Sequence, residues 1–132
     1  MSNLKKEVVL NGIVISGTGR GKHFVNLPWA RRQFKEKLGF NPYPGTLNLR
    51  LPQKGDLDQL KKAGGIKIIP EQGYQEGKCF RAIVMGKVMG AVVILDFPKY
   101  PYNLLEVLAP VNLRETLGLQ DGIKIEVTVK IE

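Results

Sequence analysis

Hydrophobic and polar residues alternate along most of this chain, which is the pattern of short β-strands with one buried face. The alternation is clearest near the end of the sequence, where Ile123, Ile125, Val127, Val129 and Ile131 are separated by polar or charged residues. The other predicted strands cover Val8–Ile15, Thr46–Leu51, Ile66–Ile69, Phe80–Met85, Val88–Leu95 and Leu104–Leu108. Strands at such short intervals predict a mainly β fold with a few short helices, arranged as a small closed or nearly closed β-barrel.

Helical spacing is confined to three short stretches. Ala30, Phe34 and Leu38 recur every four residues and predict a helix over Pro28–Leu38 that ends at Gly39. The other two predicted helices cover residues 56–63, with Asp56 as the cap, and residues 112–117. We therefore expect residues 1–132 to form a single domain with one core.

The composition is that of an ordinary globular chain with a strong positive charge. Hydrophobic residues make up 43% and charged residues 24%, and the net charge is +8. These values exclude a disordered chain and favour an anionic partner, either a nucleotide, a nucleic acid or an acidic surface. No apolar run could cross a membrane and no signal segment is present, so we expect a cytoplasmic protein. The single cysteine, Cys79, excludes an internal disulfide.

A glycine-rich segment directly after the first predicted strand is the first sign of chemistry. Gly17 to Lys22 alternates three glycines with Thr18, Arg20 and Lys22. Bare backbone amides beside two cations form a cradle for phosphate oxygens. The segment is neither a P-loop nor a dinucleotide loop, because His23 stands where the first needs Ser or Thr and Lys22 where the second needs glycine. A flexible turn between two strands is an equally good interpretation of these glycines.

Two neutral oxygen donors face the same side of the strand that follows a Pro-rich turn. Thr46 and Asn48 alternate with Leu47 and Leu49, which we expect to enter the core. A Thr hydroxyl and an Asn carbonyl oxygen are suitable Mg²⁺ ligands when nucleotide phosphates supply others. The alternative is a polar strand face exposed to solvent.

A glutamate lies between two leucines on one face of a later strand. Glu106 shares that face with Leu104 and Leu108. Such a carboxylate is either exposed to solvent at the end of the strand or buried for a function. In the second case it would accept hydrogen bonds from a ligand or a proton from a hydroxyl. Residues 111–114 follow and open a short helix, where backbone amides and Arg114 would suit an anion, although a surface arginine is the alternative.

Taken in order, these segments resemble the archaeal CTP-dependent riboflavin kinases. The resemblance covers nearly the whole chain. The segments that carry it are Ser16–Gly21, Leu38–Phe40 with Pro42-Tyr43 and Gly45–Leu49, Glu106–Pro110, and Leu113–Glu115 with Leu117–Leu119 and Asp121-Gly122. It implies a cradle-loop β-barrel that transfers the γ-phosphate of CTP to the ribityl 5′-hydroxyl of riboflavin, giving FMN and CDP. The implied enzyme class is a phosphotransferase with an alcohol group as acceptor.

The resemblance also implies roles for individual residues. Thr46 and Asn48 would bind Mg²⁺, and Glu106 would contact the ribityl chain near the accepting hydroxyl as the catalytic residue. The nucleotide would be held at its phosphates by Thr18, Gly19, Arg20, Gly21, Lys22 and His23 and at its cytidine by Val111, Asn112, Leu113 and Arg114. The family carries a Thr that touches the flavin in the loop before the Glu strand, but residues 97–103 contain none. Tyr100 and Tyr102 are therefore our candidates for stacking on the isoalloxazine ring.

Two other functions are consistent with the residues alone. One is a barrel that binds flavin or nucleotide without transferring a phosphoryl group. The other is a basic barrel that binds nucleic acid, although few aromatic residues lie on strand faces for base stacking. For the kinase we expect a monomer whose partners are CTP, CDP, riboflavin and FMN, with no membrane partner.

Overall fold

The alternating segments form seven strands, and four short helices complete the part of the chain that the structure describes. A computed structural model describes residues 6–17, 20–53, 55–71, 73–74, 76–95 and 100–131, without the side chains of residues 20 and 21. The strands are β1 (Glu7–Ile15), β2 (Leu47–Arg50), β3 (Ile66–Ile68), β4 (Gly77–Val84), β5 (Val88–Leu95), β6 (Leu104–Leu108) and β7 (Lys124–Lys130). The helices are α1 (Arg20–Asn26), α2 (Pro28–Leu38), α3 (Asp58–Lys62) and α4 (Leu113–Leu117).

Six of the strands close into an antiparallel barrel. Their order is β4, β5, β6, β2, β1, β7, and β7 pairs again with β4. One edge of β4 pairs with β5, and the other edge is shared by two strands, because residues 77–79 pair with β3 and residues 82–84 pair with β7. One face of each barrel strand fills the interior, as the buried Leu10, Leu49, Val92, Leu105 and Val127 show. The predicted mainly β barrel is therefore confirmed. Successive residues of each barrel strand alternate between the interior and the outer face.

The hairpin between β4 and β5 turns on two residues in the left-handed region. Met85 has φ 53° and Gly86 has φ 66°, and the Lys87 amide donates to the Val84 carbonyl at 3.0 Å. Two successive positive φ values match the twist of a tight hairpin, which explains the glycine at this point. The turn is centred one residue before the predicted Gly86-Lys87 pair.

A second hydrophobic cluster covers the outer face of β4 and β5, so the prediction of one core is wrong. Helices α1 and α2 bury Phe24, Trp29 and Phe34 against strand residues that include Cys79 and Val93. At the end of α2, the Arg81 guanidinium donates to the carbonyls of residues 37 and 38, at 3.0 and 2.9 Å. These last-turn carbonyls have no partner within the helix, so Arg81 fastens α2 to the barrel.

Helix α1 is absent from our sequence prediction. The interpretation of the glycines as a turn between two strands is wrong, because the chain enters a helix at Arg20. Glycine weakens a helix, and the burial of Phe24 and Val25 in the second hydrophobic cluster outweighs that local preference.

The predicted helix over residues 56–63 is shorter than expected. α3 begins at Asp58, and its cap residue is Leu57, which makes no side-chain cap hydrogen bond. The predicted capping role of Asp56 is therefore wrong. Within the described ranges, no helix has the length and apolar character needed to cross a membrane.

Candidate active site

Three strands bring the predicted metal and flavin residues together on the outer face of the barrel. Asn48 of β2 pairs with Ile15 of β1 on one side and with Glu106 of β6 on the other. Thr46 lies two residues before Asn48 and therefore on the same face. Leu47 and Leu49 are buried in the interior, as predicted. We call the outer surface formed by Thr46, Asn48 and Glu106 the polar face.

Glu106 is the buried acid of the polar face. It is 2% exposed, and in the described part of the chain it is the one buried polar or charged residue. Its Oε2 accepts a hydrogen bond from the Thr46 hydroxyl at 3.3 Å, and its Oε1 accepts one from the Tyr100 hydroxyl at 2.8 Å. The alternative of a solvent-exposed glutamate at a strand end is therefore wrong. Because a buried carboxylate is costly unless it is hydrogen-bonded, these donors explain how the barrel tolerates it.

Tyr100 is fixed beside this carboxylate as a donor. Burial, the negative charge of Glu106 and their hydrogen bond all raise the pKa of Tyr100 far above its ordinary value. The ring packs against the second hydrophobic cluster. The phenol therefore keeps its proton at neutral pH and donates a hydrogen bond to Glu106.

The first glycine of the loop after β1 lies directly against Asn48. A methyl group at Gly17 would stand 2.2 Å from Nδ2 and 2.7 Å from Cγ of Asn48. Only a residue without a side chain leaves room for the amide there. The start of the glycine loop therefore lies directly against the polar face. The predicted Thr18 and Gly19 lie outside the described residues, as does the Arg20 side chain, and Gly21 is described only as part of α1.

The predicted cytidine segment caps helix α4 and faces the Pro-rich turn. Asn112 Oδ1 accepts from the Glu115 amide at 3.2 Å, and its Nδ2 donates to the Tyr43 hydroxyl at 3.1 Å. The Tyr43 amide in turn donates to the Ala109 carbonyl at 2.7 Å. A cavity of about 160 Å³ lies between Tyr43 and residues 111–114 and extends to Thr46. The cavity joins α4 to the polar face.

Arg114 is tied to the end of β1. Its Nη2 donates to the Ile15 carbonyl at 3.1 Å and to Asp121 Oδ1 at 2.6 Å. The Ser16 hydroxyl donates to Asp121 Oδ2 at 2.6 Å. The hydrogen bond from Ser16 and then the one from Arg114 hold the pKa of Asp121 below its ordinary value. This network connects α4 to the residues that lead into the glycine loop.

A larger cavity, of about 460 Å³, opens near the end of β5. Its wall includes Ile94, Leu95, Lys78 and Tyr100. Val93 pairs with Glu106, so Leu95 lies two residues, or about 7 Å, along the strand from the neighbour of Glu106. The volume falls within the roughly 300–1,000 Å³ typical of small-molecule sites. Tyr100 thus borders both this cavity and the polar face.

Other predicted residues lie apart from the polar face. His23 lies beside Tyr74, with the ring centroids 6.5 Å apart, and the Lys22 side chain is exposed on α1. Tyr102 is 61% exposed, and residues 97–99 of its loop lie outside the described residues. The structure does not bring these side chains to Glu106.

Three residues that border the site are absent from our site prediction. They are Ser16, Tyr43 and Asp121, whose partners are described above. All three stand in or beside the motifs that carry the family resemblance, which is the one signal in the sequence that could have identified them.

The fold and the polar face define a closed β-barrel domain with a candidate ligand site on its outer surface, beside the start of a glycine loop and a short capped helix. The family model described as a domain of unknown function, DUF120, and named CTP-dep_RFKase matches residues 14–129. The chain belongs to this family.

Archaeal proteins named riboflavin kinase are similar to nearly the whole chain. The protein of Archaeoglobus fulgidus is 43% identical over 128 residues, which cover 92% of this chain and 54% of that protein. The protein of Methanococcoides burtonii is 41% identical over 131 residues, covering 94% and 58%. The protein of Halobacterium salinarum is 42% identical over 139 residues, covering 96% and 58%. The chain therefore spans little more than half the length of these relatives.

Proposed function

We propose that this domain is a CTP-dependent riboflavin kinase. It transfers the γ-phosphate of CTP to the ribityl 5′-hydroxyl of riboflavin and releases FMN and CDP. Family membership and the names of the archaeal relatives support the proposal. The observation that carries it is the convergence of Gly17, Thr46, Asn48 and Glu106 at one place on the barrel. A phosphoryl transfer needs such a meeting point for phosphate, cation and acceptor.

In this proposal the nucleotide spans the space between the glycine loop and α4. Its phosphates lie along residues 18–23, whose backbone amides and cations neutralise charge. Its cytidine lies in the cavity of about 160 Å³ beside residues 111–114. That cavity reaches Thr46, so a nucleotide bound there directs its phosphates toward the polar face.

The polar face has the donors that Mg²⁺ requires. Thr46 and Asn48 would hold the ion, because the Thr46 hydroxyl donates its hydrogen bond to Glu106 and its oxygen lone pairs stay available. The Asn48 Nδ2 faces the Thr46 carbonyl at 3.4 Å, which leaves the amide oxygen as an acceptor. Within the described ranges no cluster of three His, Cys, Asp or Glu could hold a metal. The oxygens of Thr46 and Asn48 would therefore act together with nucleotide phosphates as ligands. Bound Mg²⁺ would neutralise phosphate charge and align the triphosphate.

Riboflavin fits the other side of the polar face. Its ring lies in the cavity of about 460 Å³, bordered by Tyr100 with Tyr102 nearby in sequence, and Ile94 and Leu95 supply apolar contact. The ribityl chain covers the distance of about 7 Å along β5 and β6 to Glu106.

Glu106 orients the ribityl hydroxyl in this arrangement. Hydrogen bonds donated by Thr46 and Tyr100 stabilise the ionised carboxylate, which suits an acceptor better than a strong base. Phosphoryl transfer through a loose transition state makes small demands on a base. Orientation is therefore the role that we assign first, and proton removal is the alternative.

A product assay tests the proposal. The protein is incubated with riboflavin and Mg²⁺ and, in separate reactions, with CTP, UTP, GTP or ATP, and FMN is measured by chromatography. We expect FMN with CTP above all and none without Mg²⁺. Riboflavin binding without FMN from any donor would contradict the kinase and favour a flavin-binding barrel. Salt-sensitive binding to RNA or DNA without turnover would favour the nucleic-acid alternative.

A further inference from the structure

We infer that Tyr100 is a positioning residue for Glu106, whose phenol holds the carboxylate in the orientation that receives the ribityl hydroxyl. The inference rests on the proposed kinase function. It assigns Tyr100 a role different from stacking on the flavin. The contact concerned is the hydrogen bond from Tyr100, in the loop before β6, to Glu106 in β6.

The need for such a residue follows from the torsions of glutamate. The terminal torsion of a Glu side chain has broad minima, so packing alone does not fix the plane of its carboxylate. Here each oxygen has a donor on a different element. Tyr100 donates to Oε1 at 2.8 Å and Thr46 donates to Oε2 at 3.3 Å. The two bonds together define the plane, and the shorter one comes from Tyr100.

Tyr100 is itself well anchored. Its ring packs against the second hydrophobic cluster, so the position of the hydroxyl is set by the barrel and the helices. The raised pKa of its phenol keeps the donor protonated. A rigid donor removes rotational freedom from Glu106 before the substrate arrives, which is how a supporting residue makes a catalytic group effective.

The same ring borders the cavity of about 460 Å³ that we assign to the flavin. Tyr100 therefore has two separable parts, a ring that shapes the cavity and a hydroxyl that orients Glu106. A substitution that keeps the ring and removes the hydroxyl isolates the second part.

Tyr100→Phe is that substitution. We expect its kcat for FMN formation to fall by about 10- to 100-fold, because small misplacements of a reacting group have effects of this size. We expect its Kd for riboflavin, measured by quenching of flavin fluorescence, to change less than twofold. Tyr100→Leu removes the ring as well, so its Kd should rise in addition. Tyr74→Phe makes the same chemical change at a ring that is 44% exposed, and both quantities should stay at their wild-type values.

Each other outcome contradicts the inference. If Tyr100→Phe keeps a wild-type kcat, the positioning role fails while the kinase assignment stands. If Tyr100→Phe loses riboflavin affinity and thermal stability as much as Tyr100→Leu, the residue is structural only. If the wild-type protein forms no FMN, the proposed function fails in the wild type itself, and the positioning role fails with it.

Discussion

Two neighbouring outer faces of the same barrel are used in opposite ways. Over β4 and β5 the buried outward residues are small or apolar, and α1 and α2 cover them with aromatic side chains. Over β2 and β6 the outward residues include Thr46, Asn48 and Glu106. The two faces meet where Val93 of β5 pairs with Glu106 of β6. Within one strand pair the surface changes from hydrophobic packing to a hydrogen-bonded carboxylate.

The difference shows how the barrel separates stability from chemistry. Apolar outward residues gain free energy when helices cover them, so the face over β4 and β5 becomes a second core. A carboxylate cannot be covered by apolar side chains without a large cost. The polar face is instead bordered by loops and by donors such as Tyr100. We therefore expect substitutions on the two faces to affect different measurements.

Phe34→Ala should have the largest effect on stability. Phe34 is fully buried between α2 and the barrel, and losing a buried Phe side chain costs about 3–5 kcal/mol. Urea unfolding measures this loss. Phe34→Leu, as the control, should cost clearly less than Phe34→Ala because it leaves a smaller cavity. Where the variant is still folded, its KM for riboflavin should match the wild type, and a large rise in KM would contradict the separation of the two faces.

Glu106→Gln should have the largest effect on activity. The amide keeps the size of the side chain but removes the charge and places an NH₂ group opposite one of the donors Thr46 and Tyr100. We expect kcat, measured as FMN formation, to fall by about 100-fold because the ribityl hydroxyl is no longer held in place, with the midpoint of urea unfolding little changed. Glu126→Gln makes the same change at an exposed position of β7 and should leave kcat unaltered. Near-normal turnover of Glu106→Gln would exclude the base role.

Thr46→Ala and Asn48→Ala should raise the Mg²⁺ concentration needed for activity. Each variant removes a proposed ligand, and we expect a rise of at least about 10-fold, the size seen when even outer partners of a metal are lost. The measurement is FMN formation as a function of Mg²⁺ concentration. Thr128→Ala and Asn11→Ala are matched controls on β7 and β1. An unchanged Mg²⁺ requirement would remove Thr46 and Asn48 from the metal site.

Gly17→Ala should have a smaller effect that depends on Asn48. The added methyl group would displace the Asn48 amide, so we expect a several-fold rise in the Mg²⁺ requirement. In Asn48→Ala the obstruction is absent, so adding Gly17→Ala to that variant should cause little further change. If the two substitutions are simply additive, Gly17 does not act through Asn48.

The sequence predicts much of the barrel and the polar face because both follow from strand periodicity. Because the leucines on either side of Asn48 face the core, the pattern places Asn48 on the opposite, outer side of β2. Periodicity cannot predict contacts that form only when the barrel closes. Tyr100 lies in an aperiodic loop, and Ser16 and Asp121 are 105 residues apart. Helix α1 is missed because Gly21 within it opposes the helix that burial of Phe24 supports.

Asp121→Asn tests the contact between Ser16 and Asp121, which forms only when the barrel closes, and it should have the smallest effect on stability. The pKa of Asp121 is held below its ordinary value of 3.8 by Ser16 and Arg114, so the ionised carboxylate stabilises the folded state above that pH. The stabilisation is lost as the pH falls through the lowered pKa. The difference in unfolding free energy between the wild type and Asp121→Asn should therefore be present at pH 7 and shrink below about pH 4.

Urea unfolding of both proteins at a series of pH values, in low salt, measures this difference. Ser16→Ala removes the larger cause of the pKa shift, so in its background the effect of Asp121→Asn should be smaller. Because Ser16 stands next to Gly17, the weakened network should also raise the KM for CTP more than the KM for riboflavin. If the difference in unfolding free energy between the wild type and Asp121→Asn is equal at pH 7 and pH 3, the charge of the Asp121 carboxylate does not stabilise the contact between α4 and the residues before the glycine loop.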